Sequence, residues 1–238
     1  MSEKPHTVTS FEDELRSLDN RIAEMGGLAE RLVDQAFVAL QQRDTTLAEQ
    51  AISSDRAIDR HEADLEAQAI SMIARRQPVA LDLRQITTAM KIAGDLERVG
   101  DLGKNIAKRA LAVANEPRPT QLMGGLKHMT EIAQKQLKDV LDAFAMRDAA
   151  KADAVWRADG QIDAMYNSLF RELLTYMMED PRNIGLCTHL LFAAKNLERI
   201  GDHATNIAET TYYLVTGNRL AEERPKGDVT SSTAIGER

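Results

Sequence analysis

The chain has 238 residues, of which 4% are aromatic and six are proline, and it carries a formal net charge of −7 at pH 7. The acidic balance argues against nucleic-acid binding, which requires a basic surface, so we expect no nucleic-acid partner. The single cysteine, Cys187, excludes an internal disulfide and a cysteine-rich zinc site.

Apolar residues recur at helical spacing through the first half of the chain, which predicts three long helices. We place these helices at about residues 11–43, 46–77 and 82–115. Thr46 with Glu49 predicts the N-terminal cap of the second helix, and Asp82 with Gln85 predicts that of the third. Pro78 ends the second helix.

The segment EPRPT, residues 116–120, interrupts the pattern, and three further helices are predicted after it. They span about residues 120–146, 148–179 and 181–215. Asp148 is the predicted cap of the fifth helix, Asp180 with Pro181 opens the sixth, and Gly217 ends it.

The resulting organisation is two helical units flanked by tails. The predicted segments are a tail at 1–10, a first three-helix bundle at 11–116, a second at 117–217 and a disordered tail at 218–238. The first ten residues are polar, and no apolar run approaches the ~20 residues needed to cross a bilayer. We therefore expect a cytoplasmic protein.

A motif occurs twice, and its duplication predicts the architecture. Residues 95–108 read DLERVGDLGKNIAK, and residues 196–209 read NLERIGDHATNIAE. A second pair, DRAID at 55–59 and DGQID at 159–163, repeats at almost the same offset. The repeats predict an elongated all-α protein of six long helices, built as two tandem three-helix bundles.

Each motif carries a pair of carboxylates on one helix face. Glu97 and Asp101 are four residues apart, as are Glu198 and Asp202, so each pair shares a face. Both pairs lie one position beyond the apolar stripe of their helix. We expect them at the edge of the bundle, neither deeply buried nor fully exposed.

The second and fifth helices bring further carboxylates to the same height. Asp55 and Asp159 occupy positions in the apolar stripes of these helices, where an unpaired charge is costly. Counting residues from each hairpin turn places Asp55 and Asp59 level with the first motif, and Asp159 and Asp163 level with the second.

Like charges placed together repel unless protons, arginines or a cation intervene, and oxygen ligands suit hard cations. All-oxygen ligands suit Mg, Mn or Ca, with Fe as a further option, and we predict sites for a divalent or iron cation (Mg, Mn, Fe or Zn) whose identity the sequence leaves open. The predicted metal ligands are Glu97, Asp101, Glu198, Asp202, Asp55, Asp59, Asp159 and Asp163.

Simpler interpretations of the same residues remain open. Arg98 and Arg199 are predicted to bind a partner, but each also lies three residues from an aspartate with which it can pair. Carboxylates at a helix edge are most often solvated or ion-paired. The glycines of the motifs, including Gly100 and Gly201, favour close helix packing, with room for a ligand as the alternative.

The two motifs, together with QPVALDLRQITTAMKIAGDLERVGD at 77–101, resemble the PhoU family of phosphate-signalling regulators, over about residues 10–217. The resemblance implies a regulator without enzymatic activity that helps to shut off the phosphate-starvation response. Its implied partners are a membrane sensor histidine kinase and the ATPase of a phosphate ABC transporter, which would recruit it to the membrane, and we expect a homodimer.

The resemblance also implies metal binding at Glu97, Asp101, Glu198 and Asp202. Asp95 precedes the first motif, whereas Asn196 holds that place in the second, so the two sites would differ if Asp95 contributes.

Two other classes of protein are alternatives to a regulator. One is a metal-dependent hydrolase that uses the duplicated carboxylates, although no separate nucleophile or base stands out. The other is a histidine phosphotransfer module using His61, whose counterpart in the second repeat is Met165. A solvated histidine is the simpler interpretation.

Overall fold

The computed structural model describes residues 4–116 and 122–220, and within these ranges the chain is helical, with no strand. The helices are α1 Lys4–Gln42, α2 Thr45–Arg76, α3 Ala80–Ala112, α4 Leu122–Met146, α5 Ala149–Arg157, α6 Asp159–Glu179 and α7 Ile184–Thr216, with a 3₁₀ turn at Pro181–Asn183. The predicted all-α class and its duplicated three-helix bundles are confirmed.

The helix caps agree with the sequence prediction in the second repeat but not in the first. Asp148 caps α5 by accepting the backbone N–H of Lys151, as predicted. Asp44, not Thr46, caps α2, because its extended backbone lets the carboxylate accept the N–H of Leu47. Asp82 lies inside the first turn of α3, which begins at Ala80 without a side-chain cap.

The helical region begins earlier than predicted, whereas its last helix ends where predicted. Helix α1 begins at Lys4 rather than near Phe11, and Ser10 and Glu14 in its early turns bind Arg76 of α2. Gly217 ends α7 with a positive φ of 76°, as predicted. The predicted linker at 117–121 and most of the predicted C-terminal tail, residues 221–238, lie outside the described residues.

The fifth predicted helix is broken, which is the main departure from the predicted six-helix arrangement. Its two parts, α5 and α6, meet at Ala158, whose carbonyl accepts a hydrogen bond from Gln136 Nε2 at 3.1 Å. Gly160 follows at once and weakens helix propagation. The break comes directly before Asp159, the counterpart of Asp55 in the unbroken α2.

The two bundles join through α3 and α7, which pack against each other. These helices are antiparallel, because Arg84 lies over the Tyr213 ring and Arg109 lies over the Phe192 ring. One continuous core of buried apolar side chains runs through both bundles. The repeats are therefore related by an approximate twofold axis, and the two motifs meet near the middle of the α3–α7 pair.

None of the helices in residues 4–116 and 122–220 has the length and apolar character to cross a membrane.

Candidate functional site

The first acid cluster consists of Asp55, Asp59, Glu97 and Asp101, on the facing sides of α2 and α3. Asp55 is only 2% exposed, while Glu97 and Asp101 are partly exposed at the bundle edge, as predicted. The ammonium of Lys104 donates to Asp101 Oδ1 at 2.5 Å and to Asp55 Oδ2, so a cation of the chain joins the two helices.

The carboxylates of the first acid cluster influence one another's protonation. Burial raises the pKa of Glu97, and the negative charges of Asp101 and Asp59 add to this while Arg98 opposes it. Burial likewise raises the pKa of Asp59, with a further contribution from Asp55. Because Lys104 contacts both Asp55 and Asp101, the predicted coincidence of α2 and α3 carboxylates at one height is present.

Lys104 remains charged in this setting. Burial by itself lowers the pKa of its ammonium, but hydrogen bonds to Asp101 and Asp55 and their negative charges outweigh burial and raise the pKa above its ordinary value. A positively charged group thus offsets the buried charge of Asp55, which lies in the apolar stripe of α2.

Close packing of α2 on α3 beside this cluster depends on Gly100. A Cβ at Gly100 would lie 2.9 Å from Ile58 Cδ1 and 3.1 Å from Asp55 Oδ1. At the matching place in the second repeat, a Cβ at Gly201 would lie 2.9 Å from Ile162 Cγ2. These glycines serve helix packing, which is the simpler of the two interpretations drawn from the sequence.

The second acid cluster consists of Asp159, Asp163, Glu198 and Asp202, on α6 and α7. Asp159 and Asp163 are buried, and Glu198 is 4% exposed, deeper than the predicted edge position. Thr205 Oγ1 donates to Asp159 Oδ1 at 2.8 Å.

Glu198 lies deep because its surroundings differ from those of Glu97. Its Oε1 accepts from Lys195 Nζ at 2.9 Å, and the same ammonium lies 5.0 Å from the centre of the buried Tyr166 ring. Tyr166 occupies the position that Glu62 holds in the first repeat. Burial raises the pKa of Glu198, and Lys195 opposes this rise.

Asp95 turns away from the first acid cluster and towards the other repeat. Its Oδ1 lies 2.9 Å from His203 Nδ1 and accepts a hydrogen bond from Asn206 Nδ2 at 3.3 Å. The twofold-related positions hold Asn196 and Leu102, which cannot form the same hydrogen bond. Asp95 therefore joins α3 to α7 rather than adding a charge to the first motif.

The arginines of the motifs are on the surface. Arg98 is 61% exposed and lies 3.3 Å from Glu97 Oε2 and 3.6 Å from Asp101 Oδ2. Arg199, its counterpart on α7, is also exposed. Both can reach a partner protein, and Arg98 also makes the intrahelical pair that the sequence allowed.

The acid clusters contain many carboxylates, but their arrangement is less suited to a metal ion than this number suggests. Asp55 Oδ1 and Glu198 Oε2 are buried and accept no hydrogen bond, and carboxylate oxygens suit hard cations. However, no three His, Cys, Asp or Glu side chains in residues 4–116 and 122–220 are arranged so that they could hold a metal ion. In the first acid cluster the Lys104 ammonium lies between two of the predicted ligands.

Comparison with known proteins agrees with the fold and the duplicated motif. The sequence profile of the PhoU domain matches residues 22–110 and again residues 126–211. The chain belongs to the PhoU family. Each match contains one of the two acid-bearing motifs and ends close to the last turns of α3 or α7.

Two bacterial relatives match the chain over nearly their whole length. The chain is 56% identical over 227 residues to the phosphate-specific transport system accessory protein PhoU homolog of Rhizobium meliloti, covering 95% of this chain and 96% of the relative. It is 48% identical over 226 residues to the homolog of Caulobacter vibrioides, covering 95% and 98%.

Solved structures of PhoU proteins have the same architecture. The crystal structure from Pseudomonas aeruginosa has a TM-score of 0.85 at 40% identity, covering 87% of this chain and 100% of that chain. The structure of the phosphate transport system regulatory protein PhoU from Streptococcus pneumoniae has a TM-score of 0.82 at 31% identity, covering 89% and 100%.

The two lysine side chains that lie inside the acid clusters were not predicted from the sequence. Lys104 follows Asp101 by three residues and Lys195 precedes Glu198 by three, a spacing that permits side-chain contact on a helix. That spacing was the available signal. It does not show that Lys104 also reaches Asp55 on the neighbouring helix, which depends on how α2 and α3 pack.

Proposed function

We propose that this protein is a cytoplasmic negative regulator of the phosphate-starvation response that couples a phosphate ABC transporter to a membrane sensor histidine kinase. Membership of the PhoU family supports the proposal, as do relatives whose names describe an accessory role in phosphate-specific transport and which match over nearly their whole length. In this proposal the chain acts by binding, without catalysis.

The proposed docking surfaces are the acid-bearing edge of α3 and, on α7, the partly exposed Asp202 with the exposed Arg199, since Glu198 is buried. Glu97, Asp101 and Arg98 are accessible at the edge of the first bundle, with Arg98 the most exposed of the three. Their mixed charges suit a helical partner that presents both basic and acidic side chains. The observation that carries this step is that both repeats keep the same carboxylate pair at matching positions.

Deletion of the gene in a cell with a phosphate-responsive reporter tests the regulatory function. We expect reporter expression to stay high when phosphate is plentiful, and to return to its repressed level when the intact gene is restored. Expression that remains repressed by phosphate in the deletion strain contradicts the proposal.

Charge reversal tests the docking surface on the first bundle. We expect Glu97→Lys with Asp101→Lys to abolish capture of the full-length kinase or of the transporter ATPase, because the surface potential changes sign. The matched control is Glu49→Lys with Glu66→Lys, which makes the same change in net charge at exposed positions on α2. Helicity is checked by circular dichroism, and equal capture by both double variants contradicts the proposed surface.

We also propose that the second acid cluster takes a divalent or iron cation. The supporting observation is the buried Glu198 Oε2, which accepts no hydrogen bond beside further carboxylates. Because no three acidic side chains of the described residues are arranged around one point, water molecules would supply the other ligands of the cation. A cation there would compete with Lys195 for Glu198. Metal analysis of purified wild-type protein and Glu198→Gln tests this, and an equal metal content in the two proteins refutes it.

The proposed homodimer and the two alternative functions have direct tests. Light scattering of the purified chain measures its mass in solution. Phosphatase activity that survives purification and is lost in Asp101→Asn favours the hydrolase. Phosphate transfer to His61 from a labelled response regulator favours the phosphotransfer module, although this side chain is only 29% exposed and lies 3.7 Å from Glu24.

A further inference from the structure

We propose that the Lys104 ammonium is the resident cation of the first acid cluster, so that this cluster takes no metal ion while Lys104 is present. Which cation occupies this cluster is a property of the purified chain and does not depend on the proposed regulatory function.

The position of the ammonium is the first reason. Lys104 contacts one carboxylate on its own helix, Asp101, and one on the neighbouring helix, Asp55. A metal ion held between α2 and α3 would link the same two carboxylates, Asp55 and Asp101. Lys104 therefore already joins α2 to α3 through a positive charge.

Mutual exclusion is the second reason. Hard cations bind carboxylate oxygens at about 2.0–2.6 Å, and the ammonium nitrogen already lies 2.5 Å from Asp101 Oδ1. A metal ion and the ammonium cannot occupy the same place between Asp55 and Asp101. Their like charges would also repel strongly at ~4 Å in a partly buried site.

The burial of Asp55 is the third reason. This side chain is 3% exposed, and its Oδ1 accepts no hydrogen bond, so the carboxylate depends on a nearby cation for compensation. Lys104 is itself only 22% exposed, and its charge is therefore held in the cluster rather than in solvent.

Comparison of the repeats shows that this arrangement belongs to the first copy. The position of Lys104 is taken in the second motif by Thr205, which donates a neutral hydrogen bond to Asp159. The lysine of the second copy, Lys195, precedes its motif and corresponds to Gly94 in the first. The lysines of the two clusters thus stand at non-equivalent positions, and the two clusters need not bind metal alike.

Removal of the ammonium should let a metal ion bridge Asp55 and Asp101, with water molecules as its other ligands. Lys104→Met keeps an unbranched side chain, one heavy atom shorter, and removes its charge, and we expect it to bind an additional Mn²⁺ ion per chain compared with wild type. The affinity of the first acid cluster for Mn²⁺ should rise by at least roughly 100-fold, since a like charge ~4 Å away is removed. Equilibrium dialysis with metal analysis, together with calorimetry, measures both quantities.

Two further variants assign the new site. Lys108→Met, an exposed lysine one turn further along α3, is the matched control and should bind Mn²⁺ as wild type does. Adding Asp55→Asn to Lys104→Met should remove the additional ion. No gain of Mn²⁺ in Lys104→Met, or an equal gain in Lys108→Met, overturns the proposal.

A measurement on the wild-type chain covers the case in which Lys104→Met does not fold. In ¹H–¹⁵N spectra of lysine ammonium groups, paramagnetic Mn²⁺ should leave the Lys104 signal no broader than that of an exposed lysine such as Lys108. Two results would show a metal ion in the first acid cluster and overturn the proposal. One is selective loss of the Lys104 signal at low Mn²⁺, and the other is a lower metal content in Asp55→Asn than in wild type.

Discussion

Alanine at Gly100 tests how closely α2 packs on α3 beside the first acid cluster. The added Cβ would lie 2.9 Å from Ile58 Cδ1 and 3.1 Å from Asp55 Oδ1, closer than ordinary van der Waals contact. Overpacking of this kind typically costs about 1–3 kcal/mol. Against this, alanine gains about 1 kcal/mol over glycine inside a helix.

Gly94 is the control, because it lies in the same helix and no atom from elsewhere in the described chain comes within 4 Å of a Cβ built there. Gly94→Ala should therefore show the helix gain alone. Since both variants share that gain, the difference between their free energies of unfolding isolates the packing cost, about 1–3 kcal/mol in favour of Gly94→Ala.

Thermal unfolding followed by circular dichroism at 222 nm measures this difference. A change of 1 kcal/mol shifts the midpoint of a chain of this size by about 2–4 °C, so Gly94→Ala should unfold roughly 2–12 °C above Gly100→Ala. Equal stabilisation by the two alanines would refute the close approach of α2 and α3 at Gly100.

Three further predictions concern stability. Glu14 accepts a hydrogen bond from Arg76, which holds the pKa of the carboxyl below its ordinary value. Glu14→Gln should therefore lower the free energy of unfolding by up to about 1 kcal/mol at neutral pH, measured by urea titration. This difference from wild type should shrink as the pH falls below 4.5 through the lowered pKa, where the wild-type carboxylate becomes protonated. Asp148→Ala should cost about 1 kcal/mol in the same assay, because the N–H of Lys151 loses its acceptor. Because one core runs through both repeats, fluorescence of Trp156 and far-ultraviolet circular dichroism should report a single coincident transition, and separate midpoints would contradict that shared core.

The fold was accessible from the sequence because its signals repeat. Helical periodicity and the duplicated motif predicted the class and the two bundles, and the burial of Asp55 and Asp159 followed from their positions in apolar stripes. The break at Ala158 was not predicted, because Gly160 is only a weak local signal and the hydrogen bond from Gln136 to the Ala158 carbonyl comes from another helix. Contacts between distant residues leave no local pattern in the sequence.

The charge compensation inside each acid cluster illustrates the same limit at the site. A carboxylate in an apolar stripe indicates that some positive group or proton must accompany it, but not which one. In the first repeat Lys104 follows the motif and bridges two helices, whereas in the second Lys195 precedes the motif and pairs with Glu198. A lysine on either side of the motif therefore compensates a buried carboxylate. The equivalence of the two carboxylate pairs is therefore no guide to their cations, and each cluster has to be tested for metal on its own.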